Sequence, residues 1–174
     1  MNLKNCHNFE DFRKLAKKKL PSPIFHYIDG GSDDEVTLNR NTEAFNDYDL
    51  IPNVLRGVED VDLSTTVLGE KIDFPLFPSA TAMHRLYHHE GERASAKAVE
   101  KMGTIFGTST MGTVSIEEIG QINKGPKSFQ LYIHKDRGLT DNLLERCKKA
   151  GFTSLCLTVD TAVSYTHLTL PTKA

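Results

Sequence analysis

From Phe74 onward the sequence repeats a strand-then-helix unit, and this repeat limits the possible folds more than any other feature. Apolar runs near 74–79, 104–109, 128–133 and 153–159 recur at roughly the thirty-residue spacing of a βαβ unit. Amphipathic stretches fill the gaps. The first carries Ala94, Ala98, Val99 and Met102; the second opens with a capping box, Ser115-Ile-Glu-Glu118; the third carries Leu139, Leu143, Leu144 and Cys147 ahead of Gly151 as a C-cap. Parallel strands need crossovers of this length, and their sheet must be covered by helices. The expectation is an α/β fold with four parallel strands, as an open doubly wound sheet or a (β/α)8 barrel.

The preceding seventy-odd residues follow a different pattern. Asn8 is placed to cap a helix in which Phe9, Phe12, Leu15 and Ala16 recur at helical spacing, and Pro21 ends it. Ser32-Asp-Asp-Glu35 has the form of a second capping box, predicting a helix towards Phe45. Between Leu63 and Phe74, β-branched and polar residues alternate around Gly69, which predicts a hairpin. Three regions result: 1–73 with helices and a hairpin, 74–163 with the βα units, and a tail over 164–174.

Composition narrows the partners. With 174 residues, 39% hydrophobic and 25% charged, the chain can bury one ordinary core. Its 21 basic and 23 acidic residues give a net charge of −2, which offers no attraction to nucleic acid or to an anionic bilayer. Cys6, Cys147 and Cys156 form no CxxC pair, so neither a disulfide framework nor a structural zinc site is expected, and a reducing, cytoplasmic compartment fits best. Charged residues interrupt the first twenty positions, so no signal peptide is expected. The most apolar run, Phe74 to Met83, is short and broken by Pro75 and Pro78, so no membrane span is expected.

Every predicted strand of the repeat ends in polar residues: Ser79-Ala80-Thr81, Ser109-Thr110, Gln130 with Tyr132, and Thr158 with Asp160. Residues i and i+2 share a strand face, so Gln130 pairs with Tyr132 and Thr158 with Asp160 at the carboxyl ends, where barrels and open α/β sheets both place their sites. The bland alternative is that strand ends are polar because they leave the core. Asp160, following an apolar run, would need donors or a cation if buried, and a histidine is a natural partner for it in proton abstraction. Its structural alternative is an exposed acid at a helix start. Gly30-Gly31 matches no phosphate-loop motif, so ATP and NAD receive no support. His84, His88 and Glu92 recur every four residues, but Gly91 interrupts any continuous helix, so no metal site is assigned.

Taken in order, Phe25-His-Tyr-Ile-Asp-Gly-Gly31, Thr37-Leu-Asn-Arg-Asn41, Ser79-Ala-Thr-Ala-Met83, His89-Glu-Gly-Glu92, Ser109-Thr110, Ser115-Ile-Glu-Glu118, Phe129-Gln-Leu-Tyr132 and Leu157-Thr-Val-Asp160 resemble the FMN-dependent L-2-hydroxy-acid dehydrogenases and oxidases, a family that includes glycolate oxidase and lactate dehydrogenase. Each motif alone is weak; together, in order and at the family spacing, they are specific from about Phe9 to Val163. The resemblance implies a (β/α)8 TIM barrel with FMN at the carboxyl ends of its strands and oxidation of an L-2-hydroxy acid, such as L-lactate, to the 2-keto acid. It implies that Tyr27 binds the substrate carboxylate, Tyr132 faces the substrate hydroxyl, and Asp160 partners a catalytic histidine. It further implies that Ala80, Thr81 and Ala82 lie beside the flavin ring, that Ser109, Gln130 and Thr158 make polar contacts to it, and that Met111 shapes the substrate side-chain pocket. Packed tyrosines with satisfied hydroxyls are the structural alternative for Tyr27 and Tyr132.

After Val163 the sequence departs from the family pattern. A (β/α)8 barrel takes about 250 residues, whereas about four βα units fit here. The expectation is a truncated barrel without the family's catalytic histidine, its two substrate-binding arginines, the lysine beside the flavin, and the phosphate site. His167 does not match the histidine motif. The other reading is a non-catalytic half-barrel that needs a partner chain to complete its fold, since an open parallel sheet leaves unpaired edges. The complete family protein is expected to be a homo-oligomer.

Overall fold

The structure, a computed structural model, describes residues 3–159. The chain forms two compact units, Met1–Asp60 and Val61–Ala174, so the hairpin groups with the βα units.

The first unit holds α1 (Phe9–Lys19), α2 (Ser22–Asp29) and α3 (Val36–Glu43). Helix α1 starts where the sequence predicts, with the Asn8 side chain accepting from the Asp11 N–H at 2.9 Å. Arg13 of α1 makes a two-pronged bond to Asp29 at the end of α2 (2.6 and 2.9 Å). Helix α2 has no clear periodic signature in the sequence, because only eight residues separate Pro21 from Gly30. The expected capping box at Ser32 does not form. Glu35 itself occupies the position before α3 in a left-handed conformation, and its carboxylate accepts from the Gly31 N–H (3.0 Å). The Ser32–Glu35 stretch is therefore a turn, closed by the Glu35 N–H on the Ser32 carbonyl, and α3 begins at Val36.

In the second unit, strands β1 (Thr65–Val67) and β2 (Glu70–Ile72) pair antiparallel with Val67 opposite Glu70. Leu68 and Gly69 both take positive φ, the geometry of a tight two-residue hairpin turn. Next come α4 (Glu92–Lys101), β3 (Phe106–Ser109), α5 (Ile116–Ile122), β4 (Lys127–Leu131), α6 (Arg137–Lys149) and β5 (Ser154–Leu157). β3, β4 and β5 form a parallel sheet in that order, with Phe129 opposite both Thr108 and Leu155. The chain is α/β with parallel strands.

The expected strand at 74–79 is not one. Pro75 and Pro78 lack the N–H groups a ladder requires, and the segment pairs with no strand. It still meets β3 and the approach to it: the Thr104 hydroxyl donates to the Leu76 carbonyl (2.9 Å), and a Cβ on Gly107 would come 3.0 Å from the Ala80 nitrogen. Only glycine allows the two backbones to lie so close.

The helices pack on one sheet face in two clusters. Ala96, Val99, Phe106, Val114 and Ile119 join α4 and α5 to β3; Ile116, Phe129, Leu131 and Cys147 join α5 and α6 to β4. Each fully buried large apolar side chain contributes about 1.5–3 kcal/mol. On α4 Val99 is buried as the sequence reading expects, but Ala96 is the other buried position, whereas Ala98 and Met102 are exposed. Helix α5 is capped as expected by Ser115 (3.2 Å to the Glu118 N–H), but Glu118 turns away to pair with Arg93. Helix α6 ends at Gly151 as expected, with the Phe152 N–H on the Cys147 carbonyl and the Gly151 N–H on the Lys148 carbonyl. Among the described residues no helix is long and apolar enough to cross a membrane.

Candidate active site at the carboxyl ends of the strands

Strand alternation divides the sheet chemically. Phe106, Phe129 and Leu131 point into the helix layer, so Ser109 and Gln130 point to the other face, at the carboxyl ends of β3 and β4. There the side chains of Ser109, Gln130 and Thr158 form one hydrogen-bonded row. The Ser109 hydroxyl donates to Gln130 Oε1 (2.8 Å), and Gln130 Nε2 donates to the Thr158 hydroxyl (2.6 Å). Ser109 and Gln130 are buried and Thr158 half-buried.

The backbone locks this row in place. The Met111 N–H donates to the Ser109 hydroxyl (3.1 Å), and the Thr110 N–H lies 3.2 Å from Gln130 Oε1. Thr110, which the sequence marks only as a polar strand end, ties two strands together. Its hydroxyl donates to the Gln130 carbonyl (2.7 Å) and accepts from the Tyr132 N–H (3.2 Å), so it sets where Tyr132 leaves the sheet. The threonine after a strand-end serine is the only signal the sequence offers for this role.

Chemically the row is a set of donors awaiting acceptors. Among the described residues, Thr158 receives a bond from Gln130 and keeps its own proton, and Gln130 Nε2 keeps its second N–H. A planar heterocycle edged with carbonyl oxygens and ring nitrogens suits such donors, and the Ala80 backbone lies beside β3, where Gly107 lets it approach.

Of the other predicted positions, Tyr132 is half-buried, Thr81 is exposed with its hydroxyl 3.4 Å from the Ser79 carbonyl, and Met111 is 52% exposed. Tyr27 lies on α2 of the first unit, with 65% of its surface exposed. Asp160, His167 and the 164–174 tail fall outside the described residues.

The weak metal candidate resolves differently. His84 lies in a short 3-10 turn, Gly91 separates it from α4, and the Glu92 carboxylate accepts from backbone N–H groups. Among the described residues no three His, Cys, Asp or Glu side chains are grouped to hold a metal. Glu92 is buried yet ionised. Burial works to raise its pKa, but the Thr113 hydroxyl and N–H, the N–H of Glu92 itself and the His84 N–H outweigh this and hold it below the usual carboxylate value.

The FMN-dependent dehydrogenase family model matches residues 16–169. The chain belongs to the FMN-dependent dehydrogenase family. Among its relatives, the L-lactate dehydrogenase of Vibrio parahaemolyticus is 46% identical over 153 residues, covering 88% of this chain and 40% of that protein. Glycolate oxidase 1 of Oryza sativa is 41% identical over 154 residues, covering 88% of this chain and 42% of that protein. The flavin-binding domain of baker's yeast flavocytochrome b2 superposes with a TM-score of 0.84 at 34% identity, over 92% of this chain and 42% of that one. A soluble mutant of the membrane-associated (S)-mandelate dehydrogenase of Pseudomonas putida gives 0.83 at 34% identity, over 91% and 45%. The chain thus spans about two-fifths of the length of the curated relatives it matches. The donor row of Ser109, Gln130 and Thr158 fits the acceptor edge of this family's flavin.

Proposed function

We propose that this chain is the N-terminal half of an FMN-dependent (β/α)8 barrel that oxidises an L-2-hydroxy acid, best matched by L-lactate, to its 2-keto acid. The observation that carries the reading is the hydrogen-bonded Ser109–Gln130–Thr158 row at the carboxyl ends of the strands, on the face away from the helix layer. The 46% identity to an L-lactate dehydrogenase supports lactate, and the apolar, unbranched Met111 beside Ser109 suits a small aliphatic acid.

In this proposal Ser109, Gln130, Thr158 and the Ala80–Ala82 backbone hold the flavin, and hydrogen bonds to its acceptor edge tune its readiness to take electrons. FMN, when bound, supplies the two-electron acceptor. Tyr27 binds the substrate carboxylate, and Tyr132, its backbone fixed by Thr110, holds the substrate hydroxyl. Asp160, two residues beyond Thr158, orients an imidazole contributed by the remaining length of the family barrel and stabilises its protonated form as it removes a substrate proton. The 174 residues bind and orient, and turnover requires the rest of the barrel.

Complementation tests this. The chain is co-expressed with the part of the Vibrio lactate dehydrogenase that follows the matched region, and the complex is offered L-lactate, glycolate and (S)-mandelate in turn. A flavin-loaded complex reduced fastest by L-lactate supports the proposal. Failure to retain FMN, or preference for glycolate or mandelate, refutes the cofactor site or the substrate respectively.

A further inference from the structure

Glu92 has 1% of its surface exposed, and a buried carboxylate normally demands a cation. Its neighbour Arg93 is committed to Glu118, and among the described residues no lysine or arginine forms an ion pair with Glu92. Its oxygens are satisfied by two distant turns. Oε1 accepts from the Thr113 N–H (2.8 Å) and the His84 N–H (3.3 Å), and Oε2 accepts from the Thr113 hydroxyl (2.6 Å). Thr113 then accepts from the Arg85 N–H (3.2 Å), and the Met83 N–H donates to the Met111 carbonyl (3.1 Å).

The two turns that Glu92 joins continue directly into the proposed flavin contacts. Residues 83–85 follow Ala80–Ala82, and residues 111–113 follow Ser109, whose carbonyl accepts from the Gly112 N–H (2.9 Å) and whose hydroxyl accepts from the Met111 N–H. A carboxylate serving only as a helix start would bind the first turn of α4, yet Glu92 reaches residues 8 and 21 positions away. We propose that Glu92 is a positioning residue, an anionic clamp that fixes the 83–85 and 111–113 turns against each other and so holds the flavin contacts that precede them in register. The inference rests on the flavin reading given above. Charge-assisted bonds to backbone N–H groups are about twice as strong as neutral ones, so replacing the carboxylate by an amide of equal size weakens the clamp without opening a cavity.

The test compares the 174-residue chain with its Glu92→Gln variant. Amide exchange in Glu92→Gln rises at least tenfold at His84, Arg85 and Thr113, while Phe106 and Phe129 in the sheet change less than threefold. The Thr113 amide resonance of the unsubstituted chain titrates below the ordinary carboxylate range, and in Glu92→Gln that step is gone. FMN, followed by flavin fluorescence, binds the variant at least tenfold more weakly. Exchange that rises equally in the sheet, or a Thr113 resonance that titrates identically in both proteins, overturns the clamp; equal FMN affinity overturns its positioning role. Failure of the flavin reading appears separately, as an unsubstituted chain that takes up no FMN although its Thr113 resonance titrates.

Discussion

Replacing Gln130 by methionine keeps nearly the same volume and removes the centre of the polar row. The substitution breaks the bonds to the Ser109 and Thr158 hydroxyls and the contact with the Thr110 N–H. Thr110 retains the Gln130 backbone carbonyl at 3.0 Å, so its N–H is not orphaned. Thr158 is half-buried and turns to water. Ser109 is buried, and its proton is left without an acceptor. Two side-chain bonds at about 0.5–1.5 kcal/mol each, with a penalty of about 1 kcal/mol for the stranded hydroxyl, give a loss of about 2–4 kcal/mol. With a urea slope of about 2 kcal/mol per molar, the midpoint falls by about 1–2 M at unchanged slope. Circular dichroism during urea unfolding reads this, with Thr158→Val, which removes one bond, losing about 1 kcal/mol. A midpoint unchanged by Gln130→Met would mean that the row is not an interacting unit and would refute the reasoning.

Four further outcomes follow from local geometry. Gly107→Ala drives a methyl to 3.0 Å from the Ala80 nitrogen and costs about 1–3 kcal/mol, read by thermal unfolding. Asn8→Ala removes the cap on α1 and costs about 1 kcal/mol, read as lost helicity. The two-pronged bond to Arg146 holds the Glu117 pKa down at about 2, so its stabilisation is complete above the usual carboxylate value and fades as pH falls from about 4.5 towards 2. Being exposed, the pair is worth under about 1 kcal/mol, and Glu117→Gln flattens the acid limb of stability against pH by that amount. Burial pushes the Cys147 thiol up to about 11, so at pH 8 iodoacetamide labels the exposed Cys156 at least about a hundredfold faster, measured by peptide mass spectrometry.

Strong local signals were the most legible part of the fold. Asn8, Ser115 and Gly151 mark helix ends through bonds made within a few residues, and Leu68-Gly69 closes the hairpin for the same reason. The errors arise where tertiary context decides. Phe74 to Ser79 has strand-like apolarity, but its prolines cannot donate and the chain passes beside β3 unpaired. Ser32-Asp-Asp-Glu35 has the letters of a capping box, but Asp33 and Glu35 both take positive φ and make a turn. On α4, small residues at 94, 96 and 98 hide which face is inward, and only packing against Phe106 selects Ala96. In the site, period-two alternation placed Gln130 and Thr158 on the polar face, and their direct bond agrees with that placement. Glu92 escaped because its partners lie 8 and 21 residues away, beyond any local motif.

The central claim is that these residues carry the flavin contacts while turnover needs the rest of the barrel. Titrating the purified 174-residue chain with FMN and then adding L-lactate, with the oxidised-flavin absorbance recorded throughout, tests it most directly. The account predicts weak, saturable FMN uptake and no bleaching by lactate, with bleaching once the second half of the barrel is supplied. Bleaching by lactate in the chain alone would contradict it, because a base would then have to lie within these 174 residues.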